Sequence, residues 1–201
     1  MSSQQIVIVN TGCANISSVK FAVERLGVQV TVSDDTQVIQ TADKVFLPGV
    51  GSANAAMASI KQKQLVECVQ GLTQPVLGIC LGMQLMVEAS EESLTDSTNC
   101  LSLIPGQVKR MQVGDLRLPH MGWNTVTPVA GGPLFKNIDA GSYFYFVHSF
   151  AVALSEYTLA RCQYGQDFSA AIHKDNFFGV QFHPERSSDV GAQLLKNFIE
   201  L

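Results

Sequence analysis

Pro75-Val76-Leu77-Gly78-Ile79-Cys80-Leu81-Gly82-Met83-Gln84 is the stretch that decides how the rest of the chain is read. Its first half is a short apolar run, the pattern of a strand buried on both faces, and it passes into a helix with no polar loop between. The junction Gly78-Ile79-Cys80-Leu81-Gly82 has the form of a G-x-S-x-G nucleophile elbow with a thiol in place of the hydroxyl. The two glycines let the backbone turn tightly and let neighbours approach where a Cβ would clash. A cysteine at the start of a helix meets unpaired N–H groups and the positive end of the helix dipole, both of which favour thiolate. The N–H of the next residue, Leu81, is then placed to face a developing oxyanion. A lone buried cysteine is ordinarily a packing residue. Strand, paired glycines and following helix together favour a nucleophile at Cys80.

Upstream of this junction the chain alternates strand and helix. Gln5 to Val9 is a continuous apolar run, and Val19, Ala22, Val23 and Leu26 mark one face of a helix that begins near Ser17 or Ser18 and stops at Gly27. Val28, Val30 and Val32 alternate as a second strand, Lys44 to Leu47 forms a third, and a helix is expected from Ala53 to Gln70. Such alternation predicts βαβ units around a parallel sheet, with ligands at the carboxyl ends of the strands. Beyond residue 105 the strands come close together, at Gly106–Met111, Thr125–Val129, Tyr143–Val147, Thr158–Cys162, Ala170–His173 and Phe178–Phe182. A helix from about Val190 to Ile199 follows them, and Glu88 to Asn99 reads as a polar surface loop. The fold expected is α/β: a central, largely parallel sheet flanked by helices, with further mixed or antiparallel strands in the C-terminal half. With no repeat or linker to divide them, residues 1–201 read as one domain.

Composition narrows the class. Apolar residues make up 46% and charged residues 15%, which is globular and excludes a disordered chain. A net charge of −4 argues against a nucleic-acid footprint. The five cysteines, Cys13, Cys68, Cys80, Cys100 and Cys162, include no closely spaced pair for a redox or zinc motif, so no metal or cofactor is expected. Free thiols imply a reducing compartment. The longest apolar stretch, Pro75 to Val87, is broken by Gly78, Gly82 and Gln84, too short to span a bilayer. A cytoplasmic protein away from membranes is expected.

A nucleophilic cysteine needs a base, and the base an orienting acceptor. His183, in Phe182-His183-Pro184-Glu185, follows a predicted strand and so falls on the edge where Cys80 should emerge. Glu185 is placed to accept from its imidazole and fix the tautomer. His120, in a predicted loop beside Pro119, His148, at the end of a strand, and His173, before a hairpin turn, are better explained by structural or surface roles. Leu47-Pro48-Gly49-Val50-Gly51-Ser52 ends another strand. It fails as a dinucleotide fingerprint because position 54 is Asn, and it reads instead as an ordinary turn or as a Gly-rich loop giving a second N–H to an oxyanion hole.

Taken together, Pro48-Gly-Val-Gly51, Gly78-Ile-Cys-Leu-Gly-Met-Gln84 and Phe182-His-Pro-Glu185 resemble the class I (triad) glutamine amidotransferases over the length of the chain. Leu118-Pro-His-Met-Gly-Trp-Asn124, Tyr145-Phe-Val-His-Ser149 and Gly179-Val-Gln-Phe-His-Pro-Glu-Arg-Ser187 resemble, within that family, the glutaminase subunits of imidazole glycerol phosphate synthase. The resemblance implies Cys80 as nucleophile, His183 as base and acid, and Glu185 as orienter. It implies an oxyanion hole of Leu81 and, after a peptide flip, Val50, with L-glutamine held by Gly51, Gln84, Ser149 and Phe150. Where the family commonly has Asp-Tyr-Gly-x-Gly-Asn, this chain has Asn10-Thr-Gly-Cys-Ala-Asn15 and keeps only Gly12 and Asn15.

The resemblance also implies a heterodimer with a (β/α)8 cyclase subunit, HisF, that consumes the ammonia. Its contact residues would be Asn15, Pro119, His120, Met121, Trp123 and Asn124. Trp123, the one tryptophan, is expected to anchor that interface from a loop. At 201 residues the chain is long enough for a glutaminase and too short for a whole synthase. Rival readings are another amidotransferase of the class, a thiol peptidase or amidase of related fold, and a regulator with a decayed site. The last predicts loss of a triad member, whereas all three are present.

Overall fold

The computed structural model describes residues 4–12, 16–49, 51–93, 97–129 and 132–201. The first half runs β1 (Ile6–Val9), α1 (Ile16–Glu24), β2 (Val30–Ser33), α2 (Thr36–Gln40), β3 (Lys44–Gly49), α3 (Ala53–Gln62), α4 (Val66–Gln70), β4 (Val76–Cys80) and α5 (Leu81–Leu85). Then follow β5 (Ala89–Ser90), β6 (Thr98–Asn99), β7 (Gln107–Arg110), β8 (His120–Pro128), β9 (Ser142–His148), β10 (Phe150–Val152), β11 (Thr158–Tyr164), β12 (Gln166–Lys174), β13 (Phe177–Val180) and α6 (Ser188–Ile199). Short 3-10 turns occupy Pro133–Phe135 and Pro184–Arg186.

Among the described residues the strands form two sheets. The larger has nine strands in the order β2-β1-β3-β4-β13-β12-β11-β8-β9, and the smaller has the order β10-β7-β5-β6. From β2 through β13 the larger sheet is parallel, and from β13 through β9 it is antiparallel. The expected α/β architecture, parallel first and antiparallel later, is what the chain builds.

The period-2 rule explains the layers. Ile6 and Ile8 face one side of the sheet, with Val19 and Val23 of α1 and Leu194, Leu195 and Phe198 of α6. Val7 and Val9 face the other, with Ile39 of α2, Ala56 and Ile60 of α3 and Leu85 of α5. Both faces of β1, β3 and β4 are covered, which is why their sequences are apolar without alternation.

Several boundaries differ from expectation. The single helix predicted over Ala53–Gln70 is broken into α3 and α4, with Gln64 in the left-handed region at φ 56°. No glycine or proline marks that break, so periodicity alone carried the helix through it. Glu88–Asn99 is not simply a loop: Ala89–Ser90 and Thr98–Asn99 pair as β5 and β6 at the edge of the second sheet. The segment around His120 and Trp123, predicted as a loop, is the first half of the long strand β8. No helix of the described residues is long and apolar enough to cross a membrane.

Candidate active site

The sheet brings three carboxyl-terminal strand ends together. Strand β4 lies between β3 and β13, with Gly49 opposite Cys80 on one side and Val180 opposite Ile79 on the other. Cys80 ends β4 with φ 53° and ψ −110°, outside the regions an L-residue ordinarily adopts. That is the strained turn the elbow motif predicts. The glycines around it are there for packing. A Cβ on Gly82 would lie 1.7 Å from the Leu47 carbonyl oxygen, and one on Gly78 would lie 2.7 Å from the Gly82 carbonyl oxygen. Strand β3 and the first turn of α5 therefore approach backbone to backbone, and the thiol is lifted over the sheet edge.

His183 begins the 3-10 turn just past β13. Its backbone N–H donates to Tyr145 O at 2.9 Å, and Ser187 Oγ–H donates to its carbonyl at 2.6 Å. The Tyr145 N–H in turn donates to Ser187 Oγ at 3.0 Å, so β9 and the turn clamp the histidine between them. His183 Nδ1–H donates to Glu185 Oε1 at 2.8 Å, and the Glu185 side chain is only 1% exposed. This leaves Nε2, which is buried and makes no hydrogen bond of ordinary geometry among the described residues, as the ring atom on which the Cys80 sulfur acts. Burial by itself disfavours the imidazolium. Attraction to the Cys80 sulfur and to Glu185 outweighs burial and pushes His183 up to about 10.

Cys80, Leu81, Gly51, Gln84, Ser149, Phe150 and His183 line one cavity of about 340 Å³. All the described residues expected for nucleophile, base, oxyanion donor and substrate contact thus converge on one cavity, with Glu185 behind His183. Val50 and Asn15 lie outside the described residues. Two N–H bonds of Gln84 are already spent, on Phe150 O at 2.9 Å and on Gln181 Oε1 at 2.9 Å. Its free atom toward a ligand is therefore Oε1. Gln181 Nε2 reaches the Cys80 sulfur at 3.8 Å.

Sequence reasoning missed three lining or supporting residues. Gln181 lies beside the FHPE segment, where the pattern shows only a strand. Arg186 and Glu92 both line the cavity, the latter from the stretch predicted as a surface loop. Burial pushes the Glu92 carboxyl up, with a hydrogen bond from the Ala53 backbone acting the other way. A half-buried carboxylate facing a cavity, with no ion pair among the described residues, suits a ligand ammonium. No periodicity marks such a residue.

The segment expected to meet a partner divides by side. On β8, Met121 and Trp123 are 63% and 51% exposed, and Trp123 packs edge-on against Tyr145 of β9 with ring centroids 6.1 Å apart. Tyr143 extends the same face, and Pro119 is exposed just before β8. His120 corrects its expectation: it is 3% exposed, stacked between Tyr164 and Phe146, beneath the surface and not on it. Asn124, on the same side of β8, is half-buried with its amide turned inward to His120 and Gln163. Alternation along the strand sends these two inward and Met121 and Trp123 outward.

Comparison with known proteins gives the family. The family description "Glutamine amidotransferase class-I" matches residues 7–201. The chain belongs to the class I glutamine amidotransferases. It is 56% identical over 204 residues to imidazole glycerol phosphate synthase subunit HisH 1 of Vibrio vulnificus (strain YJ016), covering 100% of both chains. It is 59% identical over 213 residues to subunit HisH of Colwellia psychrerythraea (strain 34H), covering 100% of this chain and 95% of that one. Among solved structures, a glutamine amidotransferase from Thermotoga maritima aligns with TM-score 0.65 at 18% identity, over 100% of this chain and 82% of that one. That last likeness concerns the amidotransferase fold.

Proposed function

We propose that this chain is the glutaminase subunit of a cytoplasmic imidazole glycerol phosphate synthase. It hydrolyses L-glutamine to glutamate and ammonia and passes the ammonia to a (β/α)8 cyclase subunit, HisF, in histidine biosynthesis. The observation that carries the chemistry is a cysteine on a strained elbow sharing a cavity with a histidine whose Nδ1 is held by a buried carboxylate. The HisH names of relatives at 56% and 59% identity support the assignment among amidotransferases.

The proposed reaction runs in two covalent steps. Cys80 Sγ, as thiolate, attacks the side-chain amide carbon of glutamine, and the oxyanion is held by Leu81 N–H and a second N–H from Val50. Strand pairing sets Gly49, the residue before Val50 in the sequence, opposite Cys80. His183, protonated at neutral pH, gives a proton from Nε2 to the departing ammonia, leaving a glutamyl thioester. It then takes a proton from water, which attacks the thioester, releases glutamate and restores the thiolate. Glu185 keeps Nδ1 protonated throughout, so Nε2 is always the atom that exchanges the proton. In the substrate frame, Gln84 Oε1 faces the ligand and Glu92 takes its α-ammonium. Each oxyanion donor contributes ~10²–10³ in rate, so a loop that supplies one late acts as a switch.

Met121, Trp123, Tyr143 and Pro119 form the face offered to the cyclase. An exposed apolar, aromatic strand face whose Met121 pairs with cavity-lining Val147 supports a docked subunit there, because ammonia must leave without meeting bulk water. The test is glutamine turnover by the chain alone and with the cyclase and its nucleotide ligand, beside a panel of peptides. Glutamine turnover raised by the partner is expected. Peptide turnover, or glutaminase activity high alone and unchanged by the cyclase, would overturn the assignment.

A further inference from the structure

One line of hydrogen bonds joins the inward side of β8 to the cavity, and its direction follows from the atoms alone. A carbonyl only accepts, so His148 Nδ1, 2.8 Å from Phe150 O, carries the proton. In a neutral ring His148 Nε2 is then an acceptor, and His120 Nδ1, 3.0 Å away, must donate to it. His120 Nε2 is left as an acceptor for the Asn124 amide at 3.2 Å, and the second Asn124 N–H goes to Gln163 O at 2.9 Å. Every nitrogen of the two rings is used once. Burial holds both rings neutral, His120 down to about 4 and His148 down to about 3. The line ends on Phe150 O, which also accepts from Gln84, and Gln84 in turn holds Gln181 beside the Cys80 sulfur.

We propose that Asn124, His120 and His148 are positioning residues. Together they form a one-way hydrogen-bond relay through which the position of β8, set by the docked cyclase, fixes the Phe150 carbonyl and the Gln84–Gln181 amide frame around glutamine. This rests on the chain being the glutaminase subunit of the synthase. The geometry suits the task because one strand carries both ends of it. Met121 and Trp123 project outward from β8, while His120 and Asn124 project inward from the same few residues. A shift of the strand against its partner cannot leave the inner hydrogen bonds unchanged. Proton polarity also makes the line intolerant of a flipped tautomer, since a single reversed ring sets two N–H groups or two lone pairs face to face. The rings are further pinned by stacking of His120 on Tyr164 at 4.1 Å and on Phe146 at 4.9 Å.

The test compares wild type, H120F and H120N in complex with the cyclase and its nucleotide ligand. H120F keeps an aromatic ring between Tyr164 and Phe146 and cuts both hydrogen bonds. H120N retains an N–H close to the place of Nδ1. For H120F the KM for glutamine in the complex is expected to rise about tenfold, with kcat and cyclase affinity changing much less. H120N is expected to recover most of that loss, which a purely packing role would not produce. A partner-induced gain shared equally by wild type and H120F would overturn the relay alone. No gain in the wild-type complex would overturn the subunit reading and the relay with it. Nitrogen-15 spectra of the unmodified chain give a check that needs no variant. Both His120 and His148 are expected as neutral Nδ1–H tautomers at neutral pH, and an Nε2–H or charged ring at either position would overturn the proposal.

Discussion

At the scale of single residues, the chemistry turns on where one proton sits. His183 is held up at about 10 although burial opposes its charge, because a carboxylate lies at one ring nitrogen and a sulfur near the other. Glu185→Gln keeps the shape of the first partner and removes its charge, so it is expected to lower the His183 midpoint, as is Cys80→Ala. Nitrogen-15 titration of the ring measures both. The sign for stability follows: the folded midpoint is above the ordinary value of 6.5. The pair's contribution is therefore complete below pH 6.5 and is lost as pH rises through about 10. Chemical unfolding across that window should show an alkaline decline in wild type that is weaker in Glu185→Gln. The grouping of the proposed triad at one site was legible in the sequence because its members lie in short motifs at strand ends. Glu92 was not, since what marks it is its exposure to a cavity assembled from distant segments.

Elements show which glycines are structural and for what reason. Gly82 sits where a Cβ would overlap the Leu47 carbonyl, a backbone atom that cannot move aside. Gly82→Ala is expected to cost about 3 kcal/mol or more, with the elbow displaced. Gly27, just past α1, has open space around it and a φ of +87°. Gly27→Ala should therefore cost only the conformational strain, about 1–2 kcal/mol. Urea unfolding of the two variants separates steric from conformational need. Strands β1, β3 and β4 were readable because both their faces are covered, so their sequences are apolar without alternation, whereas β2, partly exposed, was readable by its alternating valines. Strand β8 was hidden for the opposite reason. It buries His120 and half-buries Asn124 inward while exposing Met121 and Trp123, an alternation that makes sense only once the hydrogen-bond partners of the inward side are known. The two-residue strands β5 and β6 are set by pairing alone.

For the molecule as a whole, the parallel half of the sheet positions the chemistry and the antiparallel half carries the aromatic face. β9 belongs to both: Tyr145 clamps His183 through its carbonyl and packs against Trp123 with its ring. Trp123→Ala is expected to weaken cyclase binding by ~2 kcal/mol, about thirtyfold in Kd, with little change in Tm. Titration by fluorescence or calorimetry reads the first and thermal unfolding the second. Unaltered affinity would remove the aromatic face from the interface. The most direct measurement of the central claim is synthesis by the cyclase complex containing Cys80→Ala, assayed with glutamine and separately with added ammonia. Loss of glutamine-dependent synthesis with ammonia-dependent synthesis intact is the predicted result. Glutamine-dependent synthesis that survives the substitution would contradict a thioester at Cys80.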